Sequence, residues 1–206
     1  MASEPIRDPL TDHLLTPQNA ALLIIDYQPT QVNSIKSMDH PTLVDHIVTV
    51  AKAGVAYGLP IILSTVNVQT GVNKPTVQPL VDALGNVRVY DRTTINAWED
   101  AEFRRAVEAT GRRKLIMTAL WTEACLAFPT LDALRDGYEV FPVVDAVGGT
   151  STIAHETGLR RVEQAGAQLT SITQLLCELQ RDWARERTVP AFVNLLFKKT
   201  QQPHAH

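Results

Sequence analysis

The stretch from residue 114 to residue 134 constrains the fold of this chain more than any other. It opens with an apolar run of strand length, passes through a short polar turn, and continues with apolar residues at helical spacing. Cys125 falls where the predicted strand gives way to the predicted helix. Free N–H groups and the helix dipole stabilise anions at such a place, and the thiolate is the reactive form of cysteine. The position predicts either a reactive thiol or an inert buried one.

Apolar runs and helical patterns alternate along the rest of the chain. Residues 20–25 are apolar throughout, which is typical of a parallel strand buried on both faces. Pro142 favours an edge position for the fifth strand, because proline cannot donate to a sheet ladder. We expect one α/β domain with a doubly wound, Rossmann-like, six-stranded parallel sheet and helices on both faces. The predicted strands are 20–26, 61–65, 87–91, a fourth that begins at residue 114, 139–146 and 168–171. The predicted helices are about 41–57, 77–84, 99–110, 125–137, 151–165 and 172–187.

The chain divides into an N-terminal arm at 1–18, a domain at 19–187 and a C-terminal extension at 188–206. The arm is polar and contains three prolines. The extension is rich in apolar residues, namely Val189, Phe192, Val193, Leu195, Leu196 and Phe197. This much apolar surface is rarely left exposed on a monomer. It predicts a homo-oligomer, and the alternative is that the extension folds back on its own domain.

The charge and cysteine content restrict the possible partners. The net charge of −3 gives no basic footprint for nucleic acid or an anionic membrane. No apolar run approaches the about 20 residues that cross a bilayer, and residues 1–8 lack the apolar centre of a signal peptide. Cys125 and Cys177 lack metal-type spacing, and free thiols fit a reducing cytoplasm. We expect a cytoplasmic protein that acts on a small molecule, without a nucleic-acid or membrane partner.

Three side chains that carry chemistry follow three different predicted strands: Asp26, Arg92 and Cys125. The carboxyl ends of parallel strands share one edge, where the sites of such folds gather. A carboxylate can accept the proton of a thiol, and a guanidinium favours both anions but cannot shuttle protons. Taken singly, each residue could be a strand-end cap, a surface charge or a core thiol. Their convergence favours a nucleophilic site.

Several other kinds of site are absent from the sequence. No GxGxxG or GxxxxGK[ST] follows a strand, and there is no G-x-S-x-G elbow. The six histidines have no ligand spacing, and a lone His155 on a helix is more typical of a structural residue. We therefore expect no cofactor and no metal.

Three motifs, in order, resemble the isochorismatase-like cysteine hydrolases. They are residues 22–28 with the D-x-Q of that family, residues 119–126 with its G-x-x-T-[DE]-x-C-V segment, and Val144-Asp145-Ala146, His155 and Gly166-Ala167 with its late V-x-D-A…H…G-A pattern. The resemblance covers residues 20–179. Residues 95–100, 125–129 and 177–183 look most like the YcaC-type hydrolases, whose substrate is unknown.

The resemblance implies an isochorismatase-like hydrolase fold and an Asp–Lys–Cys triad. Asp26 and Cys125 match two members, and Arg92 stands where the family has lysine, as it does in the YcaC-type proteins. Arginine can supply charge at that place but not a proton. The resemblance also implies a cis peptide at Leu120–Trp121, which would turn the Trp121 N–H towards the Cys125 N–H as an oxyanion hole.

Nicotinamidases of this family add a metal site of one Asp and two His after the second strand. Residues 66–74 contain neither residue type, so the resemblance implies no metal and disfavours a nicotinamidase. Isochorismate hydrolysis proper is also disfavoured, because those enzymes lack the nucleophilic cysteine.

We expect a metal-independent cysteine hydrolase that cleaves a small amide through a thioester. The alternative is a catalytically silent ligand-binding or assembly protein on the same fold. The helix N-terminus and Arg92 predict a Cys125 pKa below the usual value of about 8.5, and Cys177 should react slowly if its helix buries it. Weaker candidates for substrate contact are Gln28, Asn67, Trp98, Trp121 and Phe128.

Overall fold

A computed structural model describes residues 7–197, and a parallel sheet lies at its centre. The strands are β1 (Ala20–Ile25), β2 (Ile61–Val66), β3 (Val89–Arg92), β4 (Lys114–Ala119) and β5 (Glu139–Pro142). Their spatial order is β3-β2-β1-β4-β5, and every pair is parallel. The apolar run forms the central strand β1, and Pro142 lies on an edge strand as predicted. The α/β class is confirmed.

Eight α-helices surround the sheet in the described residues. They are α1 (Pro29–Ser34), α2 (His40–Tyr57), α3 (Gln78–Leu84), α4 (Ala101–Ala109), α5 (Ala127–Arg135), α6 (Thr152–Gln164), α7 (Ile172–Gln180) and α8 (Val189–Phe197). Alternation along β1 divides the core into two parts. Leu22 and Ile24 pack with α2, α3, α7 and α8, whereas Leu23 and Ile25 pack with α4 and α5. Helices therefore cover both faces, as a doubly wound sheet requires.

The predicted sixth strand is wrong, since residues 7–197 form only five strands. The segment around Thr170 runs beside β5, but only one isolated bridge, between Val143 and Thr170, is present. Gln168 N–H donates to the Val140 carbonyl at 2.9 Å, and Thr170 N–H donates to the Pro142 carbonyl at 2.9 Å. The next ladder bond would need an N–H on Pro142, which proline lacks. The proline thus prevents a sixth strand.

Other boundaries also differ from the prediction. The fifth strand ends at Pro142 and is followed by a 3-10 turn at Val144–Ala146. The third strand is shifted so that Arg92 is its last residue. The last long helix ends at Gln180, because Arg181 has a left-handed φ of 61° that breaks the helix.

Both termini pack on the domain where they are described. In the arm, the Leu15 N–H donates to Glu178 Oε2 at 2.6 Å, and Asp12 pairs with Arg181 at 3.2 Å. In the extension, α8 packs against α2 and α7 and buries Phe192. Residues 1–6 of the predicted arm and 198–206 of the predicted extension lie outside the described residues. Within 7–197, no helix is both long and apolar enough to cross a membrane.

Candidate active site

Asp26 occupies the first position after the central strand. Its φ of 65° is left-handed, a conformation that Asp adopts more readily than most residues. Its N–H still donates to the Ser64 carbonyl at 3.0 Å, so the backbone stays tied to β2 while it leaves the strand. The turn places a fully buried carboxylate at the carboxyl edge of the sheet.

Arg92 reaches this carboxylate from β3, two strands away. Its guanidinium meets Asp26 end-on, with Nη1–Oδ1 and Nη2–Oδ2 both at 2.7 Å. On the way it crosses β2, where Nη1 also donates to Ser64 Oγ at 3.0 Å and to the Thr65 carbonyl at 3.1 Å. Adjacent strands lie about 4.8 Å apart, so only a long cationic side chain can span β2. The sheet order therefore explains why a residue of this length stands here.

Cys125 lies on the turn that follows β4. Thr122–Leu126 form a single π-helical turn that continues into α5, so the thiol is inside the first turn of a longer helical segment. π-turns of this kind are frequent at functional sites. The Leu120–Trp121 peptide bond immediately before it is cis, as the resemblance implies.

The three side chains are brought together and shielded from water. Asp26 is 0%, Arg92 4% and Cys125 6% exposed. The Cys125 thiol lies close enough to Asp26 and Arg92 for both charges to act on its pKa. Burial acts to lower the pKa of Arg92, but the hydrogen bond and charge of Asp26 outweigh it and raise that pKa. The guanidinium is therefore a permanent positive charge beside the carboxylate.

The expectation of a lowered thiol pKa is wrong. Burial, followed by the charge and hydrogen bond of Asp26, raises the pKa of Cys125 to about 12. Arg92 and the Trp121 N–H act in the opposite direction but do not prevail. Burial is the largest of these effects, and the charge of Arg92 is already balanced by its pairing with Asp26. At neutral pH the resting residue is a neutral thiol.

Two weaker candidates serve the backbone around the site. The amide of Gln28 is fully buried; its Nε2 donates to the carbonyls of Val66 and Lys74, at 3.1 and 2.6 Å, and its Oε1 accepts the Val66 N–H at 2.9 Å. These bonds hold the end of β2 rather than a ligand. Asn67 has a φ of 60° and donates its N–H to the Arg92 carbonyl at 2.8 Å, and its side chain is half-buried.

The three aromatic candidates occupy different places. Trp98 lies in the core, stacks edge-on against Phe103 and Tyr138, and donates its indole N–H to an Asp136 oxygen at 2.8 Å. Phe128 packs against a small separate cluster that includes Val162 of α6. Trp121 directly precedes the π-helical turn that carries Cys125, and its half-buried indole donates to Ser34 Oγ at 2.6 Å.

Several supporting residues give little signal in the sequence. Ser64 bridges Arg92 to the Tyr90 carbonyl, to which it donates at 2.9 Å. The polar pair Ser64-Thr65 inside the otherwise apolar strand β2 is the one sequence signal of this role. His155 is structural, as expected, with Nδ1 2.8 Å from Thr122 Oγ1. The exposed position of Cys177 contradicts the expectation that its helix might bury it. Within residues 7–197, no group of three or more His, Cys, Asp or Glu side chains could hold a metal ion.

Fold and site together define the class of this protein: a parallel α/β protein with a buried thiol, carboxylate and guanidinium at the carboxyl edge of its sheet. The family model for the isochorismatase domain matches residues 20–174, which is most of the chain. The chain therefore belongs to the isochorismatase family of hydrolases.

The similar proteins include several of the YcaC type. Probable hydrolase YcaC of Escherichia coli (strain K12) is 34% identical over 173 residues, which cover 84% of this chain and 83% of that protein. The structure of YcaC from Pseudomonas aeruginosa, with hexane-2,5-diol and covalent acrylamide, has a TM-score of 0.81 and 31% identity over 93% of this chain and 99% of that one. Escherichia coli YcaC, an octameric hydrolase of unknown specificity, has a TM-score of 0.80 and 30% identity over 96% and 98%. These matches confirm the YcaC-type resemblance and the fold.

Proposed function

We propose that this protein is a metal-independent cysteine hydrolase that cleaves the C–N bond of a small amide. The observation that carries the proposal is the meeting of three buried side chains: Asp26, which Arg92 holds through two 2.7 Å bonds, and the Cys125 thiol, on whose pKa both charges act. A nucleophile within hydrogen-bond reach of its base, with the base oriented by a third group, is the usual arrangement for nucleophilic catalysis. Covalent acrylamide in the Pseudomonas aeruginosa relative supports a reactive nucleophile in this branch of the family.

Asp26 and Cys125 carry the first half of the reaction. The raised pKa of Cys125 means that the proton must pass to Asp26 as sulfur attacks the acyl carbon, rather than before. A C–S bond forms and the carbonyl oxygen becomes an oxyanion, which the Trp121 and Cys125 N–H groups stabilise. Collapse breaks the C–N bond, and the leaving amine takes the proton from Asp26. A thioester remains on Cys125.

Water completes the cycle. Asp26 accepts a proton from a water molecule, whose oxygen attacks the thioester through a second oxyanion at the same site. The C–S bond then breaks, the carboxylic acid leaves, and the proton on Asp26 returns to sulfur. Arg92 shuttles no proton, because its own pKa is too high; it fixes the carboxylate and balances its charge. Trp121 and the half-buried Asn67 are the remaining candidates for substrate contact.

A substrate screen against two forms of the protein tests this function. Small amides, hydroxamates and carbamoyl compounds are offered to wild type and to Cys125→Ser, and product acid is measured. We expect at least one compound to be hydrolysed by wild type and not by Cys125→Ser. Hydrolysis that survives in Cys125→Ser would contradict the proposed nucleophile. Tight binding without turnover would favour the silent binding module.

We also propose that the protein is a homo-oligomer in the cytoplasm. The Escherichia coli relative is an octamer, and two apolar side chains, Trp183 before α8 and Val193 within it, are 64% and 38% exposed. Part of the extension does fold back, through Phe192, but these side chains remain uncovered on one chain. The free thiols of Cys125 and Cys177 fit a reducing compartment. Light scattering that gives the mass of one chain would contradict the oligomer.

A further inference from the structure

The turn that carries Trp121 and Cys125 is tied to the segment that follows β5. The Thr122 N–H donates to the Gly148 carbonyl at 2.8 Å, and Leu120 forms an isolated parallel bridge with Gly148. These backbone contacts hold the start of the turn. The proposed reaction leaves its middle, at Glu123, without any assigned role.

Glu123 stands midway between the two residues of the proposed oxyanion hole. Its Oε1 accepts two hydrogen bonds from Thr150, from the backbone N–H at 3.0 Å and from Oγ1 at 2.6 Å. Its Oε2 is buried and has no hydrogen-bond partner within residues 7–197. Burying a carboxylate oxygen without a partner costs free energy. The side chain is kept here despite that cost, and its bonded oxygen Oε1 is what ties the turn to Thr150.

Two glycines, Gly149 and Gly158, pack directly against Glu123. A Cβ on Gly158 would lie 3.0 Å from Glu123 Cα, and a Cβ on Gly149 would lie 2.8 Å from Glu123 Oε2. His155 adds the Thr122 hydroxyl contact from the same helix as Gly158. The turn is thus closely packed on this side. Among the hydrogen bonds within residues 7–197, Glu123 is the one side chain of the turn that accepts from Thr150.

We propose that Glu123 is a positioning residue that, through Thr150, holds the Trp121 and Cys125 N–H groups where the substrate oxyanion forms. This inference rests on the proposed function. Donors to an oxyanion act only when they are placed within a fraction of an ångström, and small displacements of such groups reduce rates strongly. Glu123 therefore matters for oxyanion stabilisation and not for the nucleophilicity of the thiol, which Asp26 governs.

Two reagents separate these roles on Cys125. Propionaldehyde adds the thiol across its carbonyl: a C–S bond forms, the C=O π bond breaks, and the thiol proton ends on the former carbonyl oxygen, which lies in the oxyanion position. With iodoacetamide, sulfur forms a C–S bond to the methylene carbon as the C–I bond breaks; iodide leaves, the thiol proton passes to solvent, and no oxyanion forms. The first reaction reports the oxyanion hole, and the second reports the thiol alone.

The experiment compares Glu123→Ala and Glu123→Gln, each in a Cys177→Ser background, with that background alone. In Glu123→Ala we expect propionaldehyde affinity, measured by calorimetry, to fall by about tenfold or more. The rate of Cys125 alkylation, measured by peptide mass spectrometry, should stay within about twofold, since the thiol and Asp26 are unchanged. Glu123→Gln keeps an oxygen acceptor for Thr150 and should restore most of the affinity.

Two further variants complete the test. Glu156→Ala removes an exposed glutamate from α6 and should leave both reactions unchanged. Thr150→Val removes only the 2.6 Å hydroxyl donor, so it should weaken aldehyde binding by less than Glu123→Ala does. It keeps the test valid if Glu123→Ala folds poorly. Background-like aldehyde affinity in both Glu123→Ala and Thr150→Val, or a parallel loss of both reactions, would overturn the positioning role. Absence of any Cys125-dependent aldehyde binding in the background protein would overturn the proposed function, and this inference with it.

Discussion

Asp26 and Arg92 form a two-point, fully buried ion pair across β2, with both N–O distances at 2.7 Å. The attraction between the two charges offsets the free-energy cost of removing each of them from water. Together with burial, the Asp26 charge keeps the Cys125 thiol protonated, because the opposing charge of Arg92 is engaged by the carboxylate. The site therefore rests as a neutral thiol beside a carboxylate that is fixed in place.

Breaking the pair should destabilise the protein strongly. Arg92→Met leaves the buried Asp26 charge uncompensated, and we expect a loss of about 3–5 kcal/mol in the free energy of unfolding. Arg92→Lys restores the family's lysine and its charge but loses the two-point geometry, so we expect a loss of about 1–3 kcal/mol. Urea unfolding followed by circular dichroism measures both. Arg88→Met, which removes an exposed arginine, is the control, and an Arg92→Met protein as stable as this control would contradict the buried pair.

Thiol labelling should distinguish the two cysteines. Cys125 is buried and has a raised pKa, whereas Cys177 is exposed. With iodoacetamide at pH 7.5 (about neutral), we expect Cys177 to be labelled about tenfold faster or more, because the thiolate is the reacting form. Site-resolved mass spectrometry on wild type measures both rates in one sample. Faster labelling of Cys125 would show that its thiol is ionised at rest and would contradict the raised pKa.

The raised pKa also predicts a loss of stability at alkaline pH. An unfolded cysteine ionises at about 8.5, whereas Cys125 in the folded protein holds its proton up to about 12. The contribution of Cys125 to the free energy of unfolding is therefore complete below about pH 8.5 and is lost as the pH rises towards 12. The stability difference between wild type and Cys125→Ala should shift by about 2 kcal/mol against wild type between pH 7 and pH 10. A difference that stays constant over this range would refute the raised pKa. Cys177→Ala, which replaces the exposed cysteine, is the matched control.

Metal should be dispensable for hydrolysis. The loop after β2 lacks the Asp and His residues that the resemblance associates with metal, and the proposed steps use only side chains of this chain. For any substrate whose cleavage depends on Cys125, we expect unchanged turnover after EDTA treatment and gel filtration. Loss of turnover, with recovery on adding zinc or iron, would reveal a metal site that this account lacks.

Most of the fold could be predicted from local patterns. The buried run of β1 indicated a central parallel strand, and α2 ends at Tyr57, where the predicted helix at about 41–57 also ends. The sixth strand failed for a reason that lies in pairing rather than propensity: the missing N–H of Pro142 matters only once residues 168–170 run beside it. Strand patterns report burial, but they do not report which ladder bonds a neighbour can complete.

The candidate site could be predicted in its membership but not in its electrostatics. Asp26, Arg92 and Cys125 follow from the rule that strand ends share an edge. The thiol pKa depends on how deeply the thiol is buried and on the charge of Asp26, whose pairing with Arg92 through two 2.7 Å bonds is not visible in the sequence. The contacts of Gln28 and Trp98 could not be predicted either, because side chains with free polar groups look alike in sequence whether they bind a ligand or the backbone.

The central claim is that Asp26 takes the proton of Cys125 as sulfur attacks an acyl carbon. Asp26→Asn removes the base but leaves Arg92 unpaired, so Asp26→Asn/Arg92→Met, which removes both charges, serves as the matched variant. Circular dichroism confirms that each protein is folded before the comparison. Each variant is then treated with para-nitrophenyl acetate, an activated acyl donor.

The deciding measurement is the rate of acetyl thioester formation on the Cys125 peptide, followed by mass spectrometry. We expect Cys125 to be acetylated in wild type. In both Asp26 variants the rate of acetylation should fall by about 100-fold or more, since a positioned base contributes at least that much. Acetylation of Cys125 at the wild-type rate without Asp26, or wild-type protein in which Cys125 is never acetylated, would contradict the central claim.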